Sequence, residues 1–190
     1  MVTRVPNIFG CRRQRSRIVK SIEKLMIKIL TTGGTIDKIY FDATSEYEIG
    51  EPTIPHIFQD AGVHAEYDLE PLMRKDSLEL TDADRAHIRE RCEHSRYDQI
   101  LITHGTDTMC QTADHLISEG GIAGKTIVIT GALSPARFRV TDAVFNLGLA
   151  MGAVQSMPPG IYIAMNGEIF TAGNVRKNLE VGRFEKSDRV

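Results

Sequence analysis

The sequence predicts an α/β domain with three layers, in which helices cover both faces of a mostly parallel sheet. Its 190 residues are 42% hydrophobic and 25% charged, which is the composition of one ordinary globular domain. Short runs rich in Ile, Leu and Val alternate along the chain with helical segments. Such alternation requires right-handed crossovers, which make consecutive strands parallel and place helices on both faces of the sheet.

Four apolar runs predict buried strands, and three segments between or after them predict helices. Thr81 is a cap candidate for the first helix, and Gly120 and Gly121 end the second. In chain order the prediction is a strand at 26–31, a helix at 82–92, a strand at 99–103, a helix at 109–119, a strand at 126–130, a helix at 142–153 and a strand at 161–165. This is a flavodoxin-like or Rossmann-like arrangement.

Residues 37–55 show little strand or helix periodicity. They contain two tyrosines, two prolines and many polar side chains. We therefore expect a long loop here, and because long loops in compact domains often cover a binding site, we expect it to act as a lid.

The first 25 residues are expected to lie outside the folded domain. They carry seven basic side chains and one acidic one, and they lack the continuous apolar core of a secretory signal. Met26 is followed at once by the apolar run at 27–30, so translation could start there. We therefore expect residues 1–25 to be a disordered leader or a start-site artefact, and residues 26–190 to form one domain.

Charge and cysteine content restrict the partners. The whole chain has 23 basic and 25 acidic residues, so the part after the basic leader is acidic, which argues against a nucleic-acid-binding face. No run approaches the ~20 apolar residues that span a bilayer. Cys11, Cys92 and Cys110 are widely spaced and predict free thiols in a reducing compartment. We expect a cytoplasmic protein with no membrane partner and no metal or other cofactor.

Polar residues follow each predicted strand at its carboxyl end, which is the edge of a parallel sheet where ligands bind. The segment after the first strand, at 31–35, has neither the G-x-G-x-x-G pattern of a dinucleotide site nor the pattern of a P-loop. The chain also lacks the G-x-S-x-G elbow of a serine hydrolase. The segments are Thr-Thr-Gly-Gly-Thr at 31–35, His-Gly-Thr-Asp-Thr at 104–108, Gly-Ala at 131–132 and Asn-Gly at 166–167.

Two of these segments resemble signatures of a known family. Thr-Gly-Gly-Thr-Ile at 32–36 and His-Gly-Thr-Asp-Thr-Met at 104–109 are similar to the two motifs of the bacterial-type L-asparaginase/glutaminase family of threonine amidohydrolases. The resemblance continues at 128–132, 142–147 and 164–166 and covers most of residues 26–185. It implies the family's larger amino-terminal domain, in a short member that lacks the family's second domain.

The resemblance also implies roles for individual residues. Thr35 corresponds to the nucleophilic threonine, and Thr106, Asp107 and Lys177 correspond to a second polar triad that moves its proton. A free threonine hydroxyl is a poor nucleophile, and a lysine held by a carboxylate in a crevice can serve as its base. The backbone N–H groups of Gly34 and Thr106 are candidates to bind the oxyanion. Which group takes the proton from Thr35 directly is left open.

Further residues are implied for the lid and for substrate binding. Tyr47 fits the family's lid pattern, and Tyr40 is the alternative if the lid is shorter. Ser77 aligns with a serine that binds the substrate's α-carboxylate, and Asp107 would accept from the α-ammonium. In two-domain relatives the second domain adds an acidic group, and Asp76 is a local candidate to replace it, as are Glu46 and Glu48 beside Tyr47.

The resemblance implies hydrolysis of the side-chain amide of L-asparagine to L-aspartate and ammonia. Glutamine or another small amide, an ammonia-releasing amidotransferase subunit, and a non-catalytic amino-acid sensor are the alternatives. We also expect a homo-oligomer, because a domain without its usual second domain leaves apolar surface to cover.

Overall fold

The computed structural model describes residues 26–41, 46–120 and 122–187. The expected leader at 1–25 lies outside these residues. The helices and strands follow the order β1 (Ile27–Gly33), β2 (Lys38–Phe41), β3 (Glu46–Ile49), α1 (Ile54–Asp60), β4 (Tyr67–Lys75), α2 (Asp82–Glu93), β5 (Gln99–Thr103), α3 (Met109–Ile117), β6 (Thr126–Thr130), α4 (Ala143–Ser156), β7 (Gly160–Met165), β8 (Glu168–Thr171), β9 (Val175–Asn178) and β10 (Arg183–Lys186).

The main sheet has six strands in the order β4-β1-β5-β6-β7-β8. The first five are parallel to their neighbours, and β8 is antiparallel to β7. The strands β1, β5 and β6 pair in register, so that Thr31, Thr103 and Thr130 lie side by side at or near their carboxyl ends. The polar segments that follow β1 and β5 therefore leave the sheet at one edge.

Each face of the sheet packs against helices, because apolar side chains alternate between the two faces of every central strand. On one face, Ile29 and Leu101 pack with Phe58 of α1 and Leu147 of α4. On the other face, the intervening strand residues pack with α2 and α3. This second core includes Leu30, Ile88, Ile102, Met109, Leu116 and Ile129. The predicted three-layer, mostly parallel α/β fold is confirmed.

All four predicted strands and all three predicted helices are present, with ends shifted by a few residues. Thr81 caps α2 through a capping box with Asp84, in which each side chain accepts a hydrogen bond from the other's backbone N–H. The second predicted helix ends as an α-helix at Ile117 and continues as a 3-10 turn through Gly120. The third continues to Ser156.

The expected long loop at 37–55 is wrong. Its described residues form the hairpin of β2 and β3, and Pro55 lies in the first turn of α1. The edge strand β4 was also missed, because Tyr67–Lys75 alternates poorly and contains Pro71. Proline is tolerated on an edge strand because one side of such a strand needs no ladder hydrogen bond.

The segment at 166–167 follows the carboxyl end of β7, as predicted, and serves as a turn. Asn166 and Gly167 form the two-residue turn between β7 and β8, with φ of 55° and 85°. Positive φ at both positions is what a type I′ hairpin requires, and Asn-Gly is its commonest sequence. Asn166 Oδ1 also accepts a hydrogen bond of 2.9 Å from the Phe184 N–H, which ties the β9–β10 hairpin to this turn.

Three properties of the described residues bear on partners. None of their helices is long and apolar enough to cross a membrane. Within the same ranges, no three His, Cys, Asp or Glu side chains are grouped so that they could hold a metal ion. Cys92 is buried, which raises the pKa of its thiol to about 12, and neither it nor Cys110 forms a disulfide. Cys11 lies outside the described residues.

Candidate active site

The two signature segments touch through a pair of glycines. A Cβ atom added to Gly34 would lie only 2.5 Å from both the nitrogen and the Cα of Gly105. Gly34 also has a φ of 84°, which disfavours any side chain, and its N–H donates to the Lys75 carbonyl over 3.0 Å. This contact places the residues that follow the two glycines, Thr35 and Thr106, on adjacent segments.

Thr35 is the first residue of a short 3-10 turn and is partly buried. The turn is fixed at its far end by Asp37, whose carboxylate accepts hydrogen bonds of 2.8 Å from both the N–H and the hydroxyl of Thr53. Burial raises the pKa of Asp37, while the Thr53 hydrogen bonds and the charge of Arg137 act in the opposite direction. The segment after β6 braces the same turn, because Ala136 N–H donates to the Ile36 carbonyl.

Thr106, Asp107 and Lys177 come together in space. The Lys177 ammonium donates to Thr106 Oγ1 over 2.8 Å and to Asp107 Oδ1 over 2.6 Å. The lysine side chain is 13% exposed and the Asp107 side chain 42%. Lys177 is directed here by the β9–β10 hairpin, in which it pairs with the buried Phe184.

His104 stabilises the segment at 104–108 from within the core, a role that the sequence did not reveal. It is fully buried, its Nδ1 lies 2.7 Å from the Gly105 carbonyl, and its Nε2 lies 2.8 Å from the Thr112 hydroxyl. A carbonyl can only accept, so Nδ1 carries the proton and Nε2 accepts from Thr112. Burial lowers the pKa of His104 to about 4, which keeps the ring neutral. The signal in the sequence was a histidine and a threonine eight residues apart, flanking a helix start.

Ser77 lies against the same glycine. Its Oγ is buried and has no hydrogen-bond partner among the described residues, and a Cβ on Gly105 would lie 2.7 Å from it. The carbonyl of Ser77 accepts a 2.6 Å hydrogen bond from the Thr108 hydroxyl, which fixes the serine to the second signature. A buried donor without a partner next to a crevice is suited to bind an oxygen of a ligand.

Asp76 already has protein partners. Its Oδ2 lies 2.8 Å from the Lys38 ammonium, and its Oδ1 accepts from the Leu78 N–H over 3.2 Å. The hydrogen bond from Lys38 lowers the pKa of the Asp76 carboxyl below its usual range. The structure therefore places this candidate beside Ser77, in an ion pair that a substrate would have to open.

The two candidate tyrosines pair across the β2–β3 hairpin. The Tyr40 and Tyr47 rings are 53% and 54% exposed, with their centroids 5.6 Å apart. Tyr47 also contacts the Phe138 ring at 6.1 Å, so the hairpin leans on the segment after β6. Both tyrosines thus lie on the β2–β3 hairpin, which starts at Lys38, three residues after Thr35.

The molecule is thus an α/β domain in which a Thr-Gly-Gly-Thr segment lies at the end of β1, and Thr106 and Asp107, in the segment after β5, bind Lys177 of β9. The chain belongs to the asparaginase family: the model of the asparaginase N-terminal domain matches residues 26–183.

Individual relatives agree with this assignment. The chain is 29% identical over 167 residues to an L-asparaginase of Thermococcus kodakarensis, covering 83% of this chain and 49% of that protein. It is 25% identical over 190 residues to a glutaminase-asparaginase of Pseudomonas fluorescens biotype A, covering 92% of this chain and 51% of that protein. The crystal structure of a probable cytoplasmic L-asparaginase from Campylobacter jejuni superposes with a TM-score of 0.73 at 28% identity, covering 87% and 54%. The chain thus spans about half the length of these relatives.

Proposed function

We propose that the protein hydrolyses the side-chain amide of L-asparagine to L-aspartate and ammonia, with Thr35 as the nucleophile. The observation that supports this most directly is the Lys177 ammonium bound to both Thr106 and Asp107, beside the Gly34–Gly105 contact. The names of two relatives, an L-asparaginase and a glutaminase-asparaginase, support the substrate class.

In the proposed reaction, Thr35 Oγ attacks the amide carbon and gives up its proton. The C–N bond then breaks, ammonia leaves with that proton, and the aspartyl group stays on Thr35 as an ester. Water hydrolyses the ester and regenerates the threonine hydroxyl. Splitting the hydrolysis in this way replaces one difficult step by two easier ones.

The second triad would move the proton. Thr106 follows the glycine that touches Gly34, and its hydroxyl is hydrogen-bonded to Lys177. Once Lys177 has released a proton to solvent and is a neutral amine, it can accept the proton of Thr35 through Thr106 and later return it to the leaving ammonia. Asp107 would hold the lysine side chain in place through their 2.6 Å contact. The Thr106 N–H remains our candidate for the oxyanion. The structure argues against the Gly34 N–H, because its one hydrogen already bonds to the Lys75 carbonyl. The lid would be the β2–β3 hairpin, through Tyr47 or Tyr40.

Substrate binding is proposed to use Ser77 and Asp107. The buried Ser77 hydroxyl would donate to the α-carboxylate, which supplies the missing partner of its Oγ. Asp107 is the more exposed member of its ion pair with Lys177, so its second oxygen can accept from the α-ammonium. Asp76 could add a second contact to the α-ammonium only by leaving Lys38.

Glutamine is the second candidate substrate, and the name of the Pseudomonas relative favours it. We also propose a cytoplasmic location, in keeping with the name of the Campylobacter neighbour. Self-association is proposed because α4 exposes Val144 and Phe145, and the β9–β10 turn exposes Leu179 and Val181.

Ammonia release by the purified full chain tests the function. Asparagine, glutamine and D-asparagine are supplied in parallel, and Thr35→Ala serves as the negative control. We expect ammonia from asparagine, less from glutamine, and none from the variant. Tight binding of asparagine by calorimetry without ammonia release would instead identify an amino-acid sensor.

A further inference from the structure

An ion pair connects the turn of Thr35 with the turn of Ser77. Lys38 follows the 3-10 turn that starts at Thr35, and Asp76 precedes the 3-10 turn that starts at Ser77. Their charged groups lie 2.8 Å apart, with side chains 28% and 31% exposed, so water and a small ligand can reach them. Both charges therefore lie at the edge of the candidate active site, next to the serine that lacks a partner.

We propose that Lys38 determines specificity for substrates with a free α-carboxylate, by exchanging its bond to Asp76 for a bond to that carboxylate while Asp76 turns to the α-ammonium. This inference rests on the proposed function. A zwitterionic amino acid would thus open the ion pair and bind one of its charges to each half. Neither the family signatures nor the sequence pattern assigned a role to Lys38.

The exchange is favourable because one ion pair within the protein is replaced by two with the substrate. A partly exposed ion pair contributes little to stability, so opening it costs little, and the zwitterion supplies one new partner for each side chain. A substrate with only one charge would instead leave Lys38 or Asp76 unpaired. Ion pairing alone would therefore favour an amino acid over a simple amide.

A backbone contact keeps Asp76 in position during such an exchange. The Leu78 N–H holds the other oxygen of Asp76, so the carboxylate stays oriented when Lys38 leaves. The Ser77 Oγ offers the substrate carboxylate an uncharged donor next to the ammonium.

Neighbouring cations are engaged elsewhere. Lys75 donates to both oxygens of Asp84, at 2.8 and 2.9 Å. Arg74 is paired with Glu51. Lys38 is thus the cation in this group that already contacts the residue next to Ser77.

The test uses three amides that differ in charge. L-asparagine has both α-groups, succinamate lacks the α-ammonium, and 3-aminopropanamide lacks the α-carboxylate. For the full chain, KM is measured by ammonia release and Kd by calorimetry. Lys38→Met should weaken the binding of asparagine and succinamate at least about tenfold, whereas 3-aminopropanamide should bind as well as before or better, because it no longer competes with Lys38 for Asp76. Asp76→Asn should weaken the binding of asparagine and 3-aminopropanamide and leave that of succinamate equal or stronger.

Two controls separate recognition from folding. Lys38→Arg keeps the charge and should retain succinamate binding within a few fold. Arg91→Met removes the cation from a comparable ion pair, in which Arg91 donates to Glu70 over 3.0 Å. It should leave KM and Kd for all three amides unchanged.

The inference would be overturned if Lys38→Met changed Kd equally for all three amides, or if it lowered kcat at unchanged KM and Kd. Either result would mean that Lys38 supports the fold and does not recognise the α-carboxylate. The wild type decides the proposed function separately. If it releases no ammonia, the function fails, while the pattern of Kd values still decides whether Lys38 and Asp76 divide the zwitterion between them.

Discussion

The Lys177 ammonium lies 2.6 Å from Asp107 Oδ1, although the two residues are 70 positions apart in the chain. The contact depends on one turn and one hydrogen bond. Asn166 and Gly167 reverse the chain after β7, and Asn166 then binds the backbone of Phe184, the cross-strand partner of Lys177. The lysine is therefore positioned by the fold of the last described segment.

Lys177 and Asp107 should act as one unit in catalysis. We expect Lys177→Met and Asp107→Asn each to lower kcat by at least about a hundredfold, because either change interrupts the same proton path. The double variant should be little slower than the slower single one. A double-mutant cycle on kcat measures this. Losses that multiply would show that the two residues act independently.

Removal of the Thr35 hydroxyl should abolish turnover and leave the fold intact. Thr35→Ala should lower kcat by several powers of ten, because the covalent step is lost, while the melting temperature and the Kd for asparagine stay nearly unchanged. Thr171→Ala is the matched control, since Thr171 is an exposed threonine on β8. A Thr35→Ala variant with a tenth of wild-type activity would exclude Thr35 as the nucleophile.

The central part of the fold was predictable from the sequence, because its strands are buried on both faces. The runs at β5 and β6 are almost wholly Ile, Leu, Val and Thr, so they could hardly be anything other than buried strands. The edge strand β4 lacks such a run, since only one of its edges pairs and its side chains are partly buried. The β7–β8 hairpin had a clear signal in Asn166-Gly167, which was interpreted as a binding segment instead.

The candidate site was less predictable, because its contacts depend on turns far apart in sequence. The resemblance indicated Thr35, Thr106, Asp107 and Lys177, but not the ion pair between Lys38 and Asp76, which joins two separate 3-10 turns. The buried hydrogen bonds of His104 were equally hidden, since a lone histidine after a strand shows nothing about its burial. Roles for these residues in catalysis stay predictions.

Gly34, which lies against Gly105, and Gly105, which lies against Ser77, should tolerate no side chain. Gly105→Ala would place a Cβ 2.7 Å from the Ser77 side chain, and Gly34→Ala would place one 2.5 Å from backbone at a φ of 84°. We expect each to destabilise the protein by about 1–3 kcal/mol or more, because the neighbouring backbone cannot move away freely. Gly148→Ala is the control, since Gly148 lies within α4 with open space around it and should gain roughly 0.5–1 kcal/mol. Urea unfolding of the three variants measures the differences. Equal stability of Gly105→Ala and wild type would show that Ser77 can move away from Gly105 without cost.

Stability should fall as the pH drops below the ordinary pKa of histidine, because of His104. Burial lowers its pKa from 6.5 to about 4, and the nearby charge of Arg85 acts in the same direction. Between these values the unfolded chain binds a proton at this site that the folded chain does not. The free energy of unfolding therefore decreases as the pH falls from about 6.5 to about 4, by roughly 1 kcal/mol per pH unit from this residue. Above pH 7 its contribution is constant.

Urea unfolding at pH 7.5 and pH 5 should show this loss in the wild type, and a smaller loss in His104→Gln, which keeps polar atoms in the site but does not titrate. His87, which is half exposed on α2, provides the control His87→Gln, which should retain the wild-type pH dependence. If His104→Gln loses as much stability between the two pH values as the wild type does, the buried ring is not the group that senses acid.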